Sequence, residues 1–274
     1  MVYFFKFTTI KNKQAIKKFI PNILTLLNLL AGTIAVMLAV SDRLVEAAFF
    51  VLLGILFDFF DGYVARLLKV TGELGKQLDS LADVVTSGVV PGIVMFQLFM
   101  RSIHKDWMEG LSCEIGNWLT FEETANLTLE GTKIHLLPFV GILLTLAAAY
   151  RLAKFNIDIR QTNSFIGLPT PAMALFVLSL PLILKYNDNE SINILILNKY
   201  FLIFITIVLS LLMHANMKLF SLKMKNFTLK KNMVEVVFLV LSFIALLVFK
   251  FVAIPLIIIL YLALSLVSKL VRKV

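Results

Sequence analysis

Eight apolar blocks, each about 17–25 residues long, constrain the fold of this chain more than any other feature. A helix of about 20 apolar residues spans the hydrocarbon core of a bilayer. Hydrophobic residues make up 59% of the 274 residues, against roughly 45–50% in soluble domains. The sequence therefore predicts an all-α, polytopic membrane helix bundle with about eight transmembrane helices. The predicted spans are residues 20–40, 46–68, 83–101, 136–154, 167–185, 199–215, 233–250 and 252–270.

The last two blocks are separated by almost nothing, which predicts a tight helical hairpin over residues 233–270 that turns near Phe251–Pro255. No internal repeat or low-complexity linker divides the chain, so we expect one integral membrane domain over residues 1–274. The lysines near the N-terminus precede an apolar run without a small-residue cleavage pattern, so a cleavable signal peptide is not expected.

Basic residues are distributed unevenly between the two sides of the predicted spans. With the N-terminus in the cytoplasm, 19 of the 26 Lys and Arg fall in cytoplasmic segments. This bias satisfies the positive-inside rule, so the net charge of +9 reflects membrane orientation and nucleic acid is not an expected partner. The seven outer residues are Arg43, Arg101, Lys105, Lys133, Lys185, Lys199 and Lys250.

Four aspartates lie where the second predicted span ends and the third begins. They read D-x-x-D-G-x-x-A-R, then eight residues, then G-x-x-x-D-x-x-x-D, from Asp58 to Asp83. Asp58 and Asp61 are three residues apart, and Asp79 and Asp83 are four apart, so each pair shares one face of a helix. Two glycines between the pairs interrupt the helical pattern. We therefore expect two antiparallel helices, joined by a turn at the cytoplasmic surface, whose four carboxylates converge.

A charged side chain at bilayer depth costs about 2.5–3.5 kcal/mol or more, and clustered carboxylates repel one another. Two divalent cations, Mg²⁺ or Mn²⁺, would offset both effects, since they favour oxygen ligands and share coordination with substrate phosphates. Such a two-metal site stabilises the attacking and leaving oxygens of a displacement at phosphorus. Alternatively, the aspartates pair with Arg66, Lys69 and Lys76 only to stabilise the fold, which would explain one or two pairs but not four aspartates in register with glycines.

This pattern resembles the signature of the CDP-alcohol phosphatidyltransferase family, and all eight signature positions are present. The resemblance implies transfer of a phosphatidyl group from a CDP-linked lipid to an alcohol, with release of CMP. It implies that three aspartates bind the metals and that the fourth, Asp83, binds metal and serves as the general base. It also implies that Gly62 and Arg66 contact the CDP moiety and that residues 20–215 form a six-helix catalytic core. The implied metal ligands are Asp58, Asp61, Asp79 and Asp83.

Further stretches are similar to the bacterial, membrane-embedded phosphatidylserine synthase branch of this family. They are IPNILTLLNLLAG at residues 20–32, LDSLAD at 78–83, RLAKFN at 151–156 and FIGLPTPA at 165–172. Pro21 in the first stretch predicts a helix start. The resemblance covers roughly residues 20–185. It implies CDP-diacylglycerol and serine as substrates, membrane lipids around a homodimer, and a location in the bacterial cytoplasmic membrane with the active site facing the cytoplasm.

The same resemblance supplies candidates for the two substrate sites. Gly72 stands where a hydroxyl residue is expected, and the adjacent Thr71 could supply that contact. Candidates for binding CDP-diacylglycerol are Asn22, Thr25, Gly62, Arg66, Thr71, Gly72 and Gly75. Candidates for binding serine are Gln77, Ser80 and Arg151.

Three other functions compete with this interpretation. The same chemistry could use glycerol 3-phosphate or an inositol phosphate as acceptor, which would call for a denser basic pocket near Arg151 and Lys154. A prenyl transferase would need two acidic motifs far apart in the sequence, and the chain has one. A cation transporter would place its aspartates near mid-membrane on several helices, whereas here they crowd one cytoplasmic turn.

Overall fold

The computed structural model describes residues 2–70, 72–103, 136–157, 167–217, 219 and 233–271. Within these ranges the chain is helical apart from short connections, which confirms the predicted all-α bundle. A π-helical segment, Val85–Val89, joins α3 to α4, and 3-10 turns form at Leu137–Ile142 and Lys250–Val252. The helices are α1 (Val2–Val40), α2 (Leu44–Leu67), α3 (Glu73–Val84), α4 (Val90–Ile103), α5 (Leu143–Ile157), α6 (Thr170–Tyr186), α7 (Glu190–Ile196), α8 (Lys199–His214), α9 (Met233–Phe249) and α10 (Ala253–Val271).

Each of the eight predicted spans coincides with a helix or a continuous helical run. By length and apolar composition, four helical stretches of the described chain could cross a bilayer, or five if the bent pair α7 and α8 is one span. The four stretches are Phe19–Val40, Glu73–Ile103, Leu137–Ile157 and Glu235–Leu266.

The last of these stretches is a hairpin and not one straight helix. The rings of Phe238 and Tyr261 have centroids 5.6 Å apart, whereas 23 residues of continuous helix would separate them by about 35 Å. Lys250, where the chain reverses, has φ of 50°. The turn occupies Lys250–Val252, so the hairpin predicted at Phe251–Pro255 is present and begins to turn slightly earlier.

Residues in the left-handed region mark two further reversals between antiparallel helices. Asp42, between α1 and α2, has φ of 58°, and Lys69, between α2 and α3, has φ of 53°. At the first reversal the side chain of Gln97 donates to the carbonyls of Ala39 and Val40, each at 3.1 Å. This contact satisfies carbonyls that the end of α1 leaves free and ties α4 to the α1–α2 turn. The reversal at Lys69 brings α3 back alongside α2.

The first helix is longer than the sequence predicts. We expected it to begin near residue 20 with Pro21 at its start, but α1 begins at Val2 and Pro21 lies inside it. A proline in a helix interior removes one backbone hydrogen bond and costs about 3 kcal/mol. Beyond Pro21 the helix is held by packing, because Ala35 and Ala39 are fully buried. Pro21 removes only the hydrogen bond that its own nitrogen would donate, and the helix continues on both sides of it.

Small residues allow the helices around the π-helical segment to approach closely. A Cβ on Gly141 would lie 2.8 Å from the backbone nitrogen of Phe96, and one on Gly88 would lie 3.2 Å from Cβ of Ala148. Small residues serve this purpose at helix interfaces in membranes. The contact between Gly88 and Ala148 fixes the register of α5 against the helical run that carries Asp79 and Asp83.

Candidate active site

Three of the four signature aspartates converge where the C-terminal part of α2 faces α3. Asp58, Asp61 and Asp79 each offer a carboxylate oxygen, and these oxygens all lie within 4.8 Å of one another. Asp58 and Asp61 share a face of α2 because they are three residues apart. The reversal at Lys69 then sets Asp79 of α3 opposite them. We call these three residues the carboxylate cluster.

The carboxylate cluster fits a divalent cation. Oδ1 of Asp79 is buried and has no hydrogen-bond partner in the protein. A buried carboxylate oxygen without a partner is costly, and a hard cation such as Mg²⁺ or Mn²⁺ takes oxygen ligands of this kind. The donor set comprises three of the four predicted metal ligands, and the fourth, Asp83, lies outside this group.

Helix α1 lines the site with polar residues at every third position. Oγ1 of Thr25 lies 2.5 Å from Oδ2 of Asp61 and 3.1 Å from the carbonyl of Pro21. The hydroxyl donates across the helix interface to a member of the carboxylate cluster, a contact that the sequence does not reveal. Asn22, one turn earlier, meets α3 at Gly75, where a Cβ would lie 3.2 Å from Oδ1 of Asn22. Gly75 lies inside α3, so its role is close approach to α1 and not interruption of the helix.

Asp83, four residues beyond Asp79, is held by α1. Nδ2 of Asn28 donates to Oδ1 of Asp83 at 3.4 Å. Among the described residues, the group within mutual ligand distance comprises the carboxylate cluster without Asp83. Asp83, the predicted general base, therefore lies next to the carboxylate cluster but outside this group, with its Oδ1 bonded to α1.

Arg151 lies beside Asp83. Ala148 faces Gly88 and Asn156 bonds to Ser80, so the antiparallel register of α5 places Arg151 level with residue 85. Its side chain is buried, its Nε has no hydrogen-bond partner, and its guanidinium attracts the Asp83 carboxylate electrostatically. A buried cation beside Asp83 is suited to an anionic group of a substrate.

Ser80 and Gln77, the other predicted serine-binding residues, occupy different surroundings. Nδ2 of Asn156 donates to Oγ of Ser80 at 2.8 Å, and Oγ of Ser80 lies 3.2 Å from the carbonyl of Lys76. Nζ of Lys76 donates to the carbonyl of Asn156 at 2.8 Å. These contacts cross-link α3 to α5, while Gln77 is exposed.

The remaining predicted lipid-binding residues lie at the end of α2 and in the turn after it. Arg66 is exposed, and its Nη2 lies 3.9 Å from the position of a Cβ on Gly62, so the two share a surface. Gly72 has an extended backbone, and a Cβ there would meet nothing within 4 Å. Nothing in the protein itself requires glycine at that position. Thr71 lies outside the described residues.

Two polar residues that sequence reasoning did not assign to the site, Asn28 and Thr86, form a chain of hydrogen bonds that ends on Asp83. Oγ1 of Thr86 donates to Oδ1 of Asn28 at 2.8 Å, and both side chains are almost fully buried. Thr86 follows Asp83 by three residues, a helical spacing that places two side chains on one face. That spacing was the available signal, but the partner on α1 becomes visible only when the helices pack.

Comparison with known proteins identifies the family. A family model described as CDP-alcohol phosphatidyltransferase matches residues 18–269. The chain belongs to this family. The match confirms the resemblance expected from the aspartate signature, and it extends beyond the stretches quoted for that resemblance into the C-terminal hairpin.

Curated relatives of this CDP-alcohol phosphatidyltransferase occur in bacteria and archaea. A CDP-diacylglycerol–serine O-phosphatidyltransferase of Helicobacter pylori is 31% identical over 227 residues, covering 82% of this chain and 81% of the relative. One of Bacillus subtilis is 30% identical over 167 residues, 59% of this chain and 75% of the relative. An archaetidylserine synthase of Methanothermobacter thermautotrophicus is 29% identical over 192 residues, 68% of each chain.

Proposed function

We propose that this membrane enzyme transfers the phosphatidyl group of CDP-diacylglycerol to the hydroxyl of serine, giving phosphatidylserine and CMP. One observation carries the proposal: Asp58, Asp61 and Asp79 converge within 4.8 Å, with Asp83 held separately beside them by Asn28. In this proposal the first three aspartates bind the cations and Asp83 accepts a proton.

The printed names of the relatives support serine as the acceptor. Those of the Helicobacter pylori and Bacillus subtilis proteins name CDP-diacylglycerol and serine. That of the Methanothermobacter thermautotrophicus protein names archaetidylserine. The names therefore specify different lipids, but all of them include serine.

The carboxylate cluster would hold the divalent cations, whose positive charge would stabilise the diphosphate and the charge that develops at phosphorus. Thr25 orients Asp61 for this task through its hydroxyl. Arg66 and Gly62, on one surface at the cytoplasmic end of α2, receive the CDP moiety, where the planar guanidinium suits a phosphate. The aliphatic tails lie in the membrane.

Asp83 acts as the general base. Its carboxylate accepts the proton of the serine hydroxyl, because an alcohol is a poor nucleophile until a base takes its proton. The serine oxygen forms a bond to the β-phosphorus of CDP-diacylglycerol as the bond from that phosphorus to the bridging oxygen breaks. CMP leaves with the bridging oxygen, and phosphatidylserine remains.

Arg151 binds the serine carboxylate in this proposal. It is buried, its Nε lacks a protein partner, and it lies level with Asp83. A carboxylate would pair with the guanidinium and bring the hydroxyl of the same small molecule towards the base. Ser80 and Asn156 support the wall of this pocket through their mutual hydrogen bond.

The membrane orientation and the assembly are part of the proposal. The site turn carries Arg66, Lys69 and Lys76, and basic residues favour the cytoplasmic side. We therefore place the enzyme in the bacterial cytoplasmic membrane with its active site facing the cytoplasm, where serine is available. A homodimer, expected from the family resemblance, stays a prediction that sedimentation in detergent would test.

Release of CMP from CDP-diacylglycerol by the purified full-length protein in detergent tests this function. The acceptors are serine, glycerol 3-phosphate, inositol or none, each with Mn²⁺, Mg²⁺ or EDTA. We expect turnover with serine and metal, and loss of turnover in Asp83→Asn. Turnover with another acceptor alone would overturn the substrate, and cation flux in proteoliposomes without CMP release would favour a transporter.

A further inference from the structure

We propose that Asn28 and Thr86 form a positioning pair that fixes the orientation of the Asp83 carboxylate, so that Oδ2 is the oxygen left for the acceptor hydroxyl. The inference rests on the proposed function, in which Asp83 is the general base. Neither residue touches a reacting atom: each acts through the hydrogen bond that ends on Oδ1 of Asp83.

The hydrogen bonds determine which way the Asn28 amide faces. Oγ1 of Thr86 lies 2.8 Å from Oδ1 of Asn28, and Nδ2 of Asn28 lies 3.4 Å from Oδ1 of Asp83. A side-chain amide has one accepting and one donating end. Because the Asp83 carboxylate only accepts, the NH₂ group is the end directed at it, and the hydroxyl of Thr86 donates to the amide oxygen. A flipped amide would set two acceptors, its own oxygen and that of Asp83, against each other.

Burial of both side chains fixes this orientation of the Asn28 amide. Asn28 is 0% and Thr86 1% exposed, so water does not replace a lost partner. An unsatisfied buried polar group costs about 1–3 kcal/mol, which keeps the amide in the state that satisfies both ends. Oγ1 of Thr86 also lies 3.3 Å from the Asn28 carbonyl, so the hydroxyl sits directly against this one turn of α1.

Two glycines make room for the pair. A Cβ on Gly32 would lie 2.4 Å from Oγ1 of Thr86. A Cβ on Gly54 of α2 would lie 2.7 Å from Cγ2 of Thr86 and 2.8 Å from Oδ1 of Asn28. Contacts under 3 Å exclude any larger residue unless the pair moves. Helices α1 and α2 therefore enclose Thr86 from two sides and hold its hydroxyl in place.

The backbone between the base and Thr86 is also irregular. The π-helical segment begins at Val85, one residue before Thr86 and two after Asp83. Single π-helical turns inside α-helices occur frequently at functional sites. The wider turn sets the rotation of Thr86 relative to Asp83, so that both side chains reach the same asparagine on α1.

Removal of the Thr86 hydroxyl tests the pair without changing the volume of the side chain. In Thr86→Val the amide loses the contact that orients it. We expect kcat with serine to fall about 10-fold or more, since a displaced catalytic group costs up to about 100-fold. KM for CDP-diacylglycerol and Mn²⁺ affinity measured by calorimetry should stay within about 2-fold, because the carboxylate cluster is untouched. Thr86→Ser, which keeps the hydroxyl, should restore most of kcat.

Thr145→Val is the matched control. Oγ1 of Thr145 donates to the Gly88 carbonyl at 3.0 Å, so it bonds to the same π-helical segment from the side of α5 and does not contact Asn28. We expect this variant to lower the unfolding temperature while kcat stays within about 2-fold of wild type. The comparison separates the orientation of Asp83 from general support of the segment.

A double-mutant cycle with Asn28→Ala shows whether Thr86 acts through the asparagine. If it does, Thr86→Val lowers kcat in the wild-type background and has no further effect in Asn28→Ala, since interacting residues are non-additive. Additive losses, an undiminished kcat in Thr86→Val, or failure of Thr86→Ser to recover activity would each overturn the inference. A wild-type enzyme that releases no CMP with any acceptor would instead overturn the proposed function, and with it the base on which the pair acts. If Asn28→Ala does not fold, the valine and serine variants of Thr86 decide the question.

Discussion

The carboxylate site and the C-terminal hairpin use hydrogen bonds and apolar surface in opposite ways. At the site the hydrogen bonds join separate helices, as between Thr25 and Asp61, which are 36 residues apart. In the hairpin Ser265 bonds to its own helix, at the carbonyl of Tyr261. Aliphatic side chains such as Leu247, which is 68% exposed, dominate the hairpin surface, as suits a surface that faces lipid.

The two regions differ in their hydrogen bonds because they carry different kinds of side chain. A carboxylate near the membrane is costly unless it is paired or bound to a cation, so the site needs partners that other helices supply. The hairpin carries mainly apolar side chains, and its two helices pack against each other and against α6. Its described part also buries one carboxylate, that of Glu235. Substitutions at the site should therefore affect catalysis, and those in the hairpin should affect stability alone.

The largest effect should come from the carboxylate cluster itself. Asp61→Asn removes one charge from the cluster while keeping its shape, and we expect CMP release to fall by about 100- to 1,000-fold, the range for losing one group that stabilises transition-state charge. Calorimetry with Mn²⁺ should show weakened binding. Glu46→Gln, an exposed carboxylate paired with Arg43 on the opposite side of the protein, serves as control and should leave activity unchanged.

A smaller effect is expected from the residue that orients the cluster. Thr25→Val removes the hydroxyl that donates to Asp61, and losing such a partner of a metal ligand costs about 10- to 100-fold in metal affinity. The Mn²⁺ concentration for half-maximal activity should rise accordingly. Thr33→Val on the same helix, whose hydroxyl bonds only locally to the Leu29 carbonyl, should change nothing. Equal behaviour of the two variants would contradict the distinction between local and interhelical hydrogen bonds.

The close packing of α1 and α2 around Thr86 should also be sensitive to an added methyl group. Gly54→Ala would place a Cβ 2.7 Å from Cγ2 of Thr86, and overpacking of this kind typically costs about 1–3 kcal/mol. A lower unfolding temperature in detergent, together with reduced kcat, would bear this out. Gly72→Ala meets no atom within 4 Å and should leave the unfolding temperature unchanged. A Gly54→Ala protein as stable as wild type would show that α1 and α2 can separate there.

The smallest effect should lie in the hairpin. The rings of Phe251 and Tyr186 stack with centroids 5.2 Å apart and join the hairpin turn to the end of α6. Phe251→Ala should lower stability by about 1 kcal/mol for the lost aromatic pair, in addition to the lost burial of the ring, without altering kcat or KM. A change in kcat would contradict the expectation that hairpin substitutions affect stability alone, because it would show that the hairpin influences the distant carboxylates.

The helices and the carboxylate cluster were largely predictable, since both follow from local pattern. Eight apolar blocks predicted the positions of the spans, and the spacing of Asp58, Asp61 and Asp79 predicted that they would meet across a turn. The predicted start of α1 was wrong: Pro21 is a common helix-start signal, but here it lies inside the helix, where it removes one backbone hydrogen bond without ending it. Ser80 was predicted to face a substrate, whereas the structure also bonds it to Asn156, 76 residues away.

The sequence by itself determined the family, the apolar helices and the aspartate signature, because hydrophobic periodicity and residue spacing act within single helices. Only the tertiary structure decided that Asp83 bonds to Asn28, that Thr25 bonds to Asp61, and that Asn28 joins Thr86 to Asp83. These contacts connect residues 36 to 58 positions apart. Their geometry depends on how closely α1, α2 and the π-helical segment approach, and glycines at the interfaces set that distance.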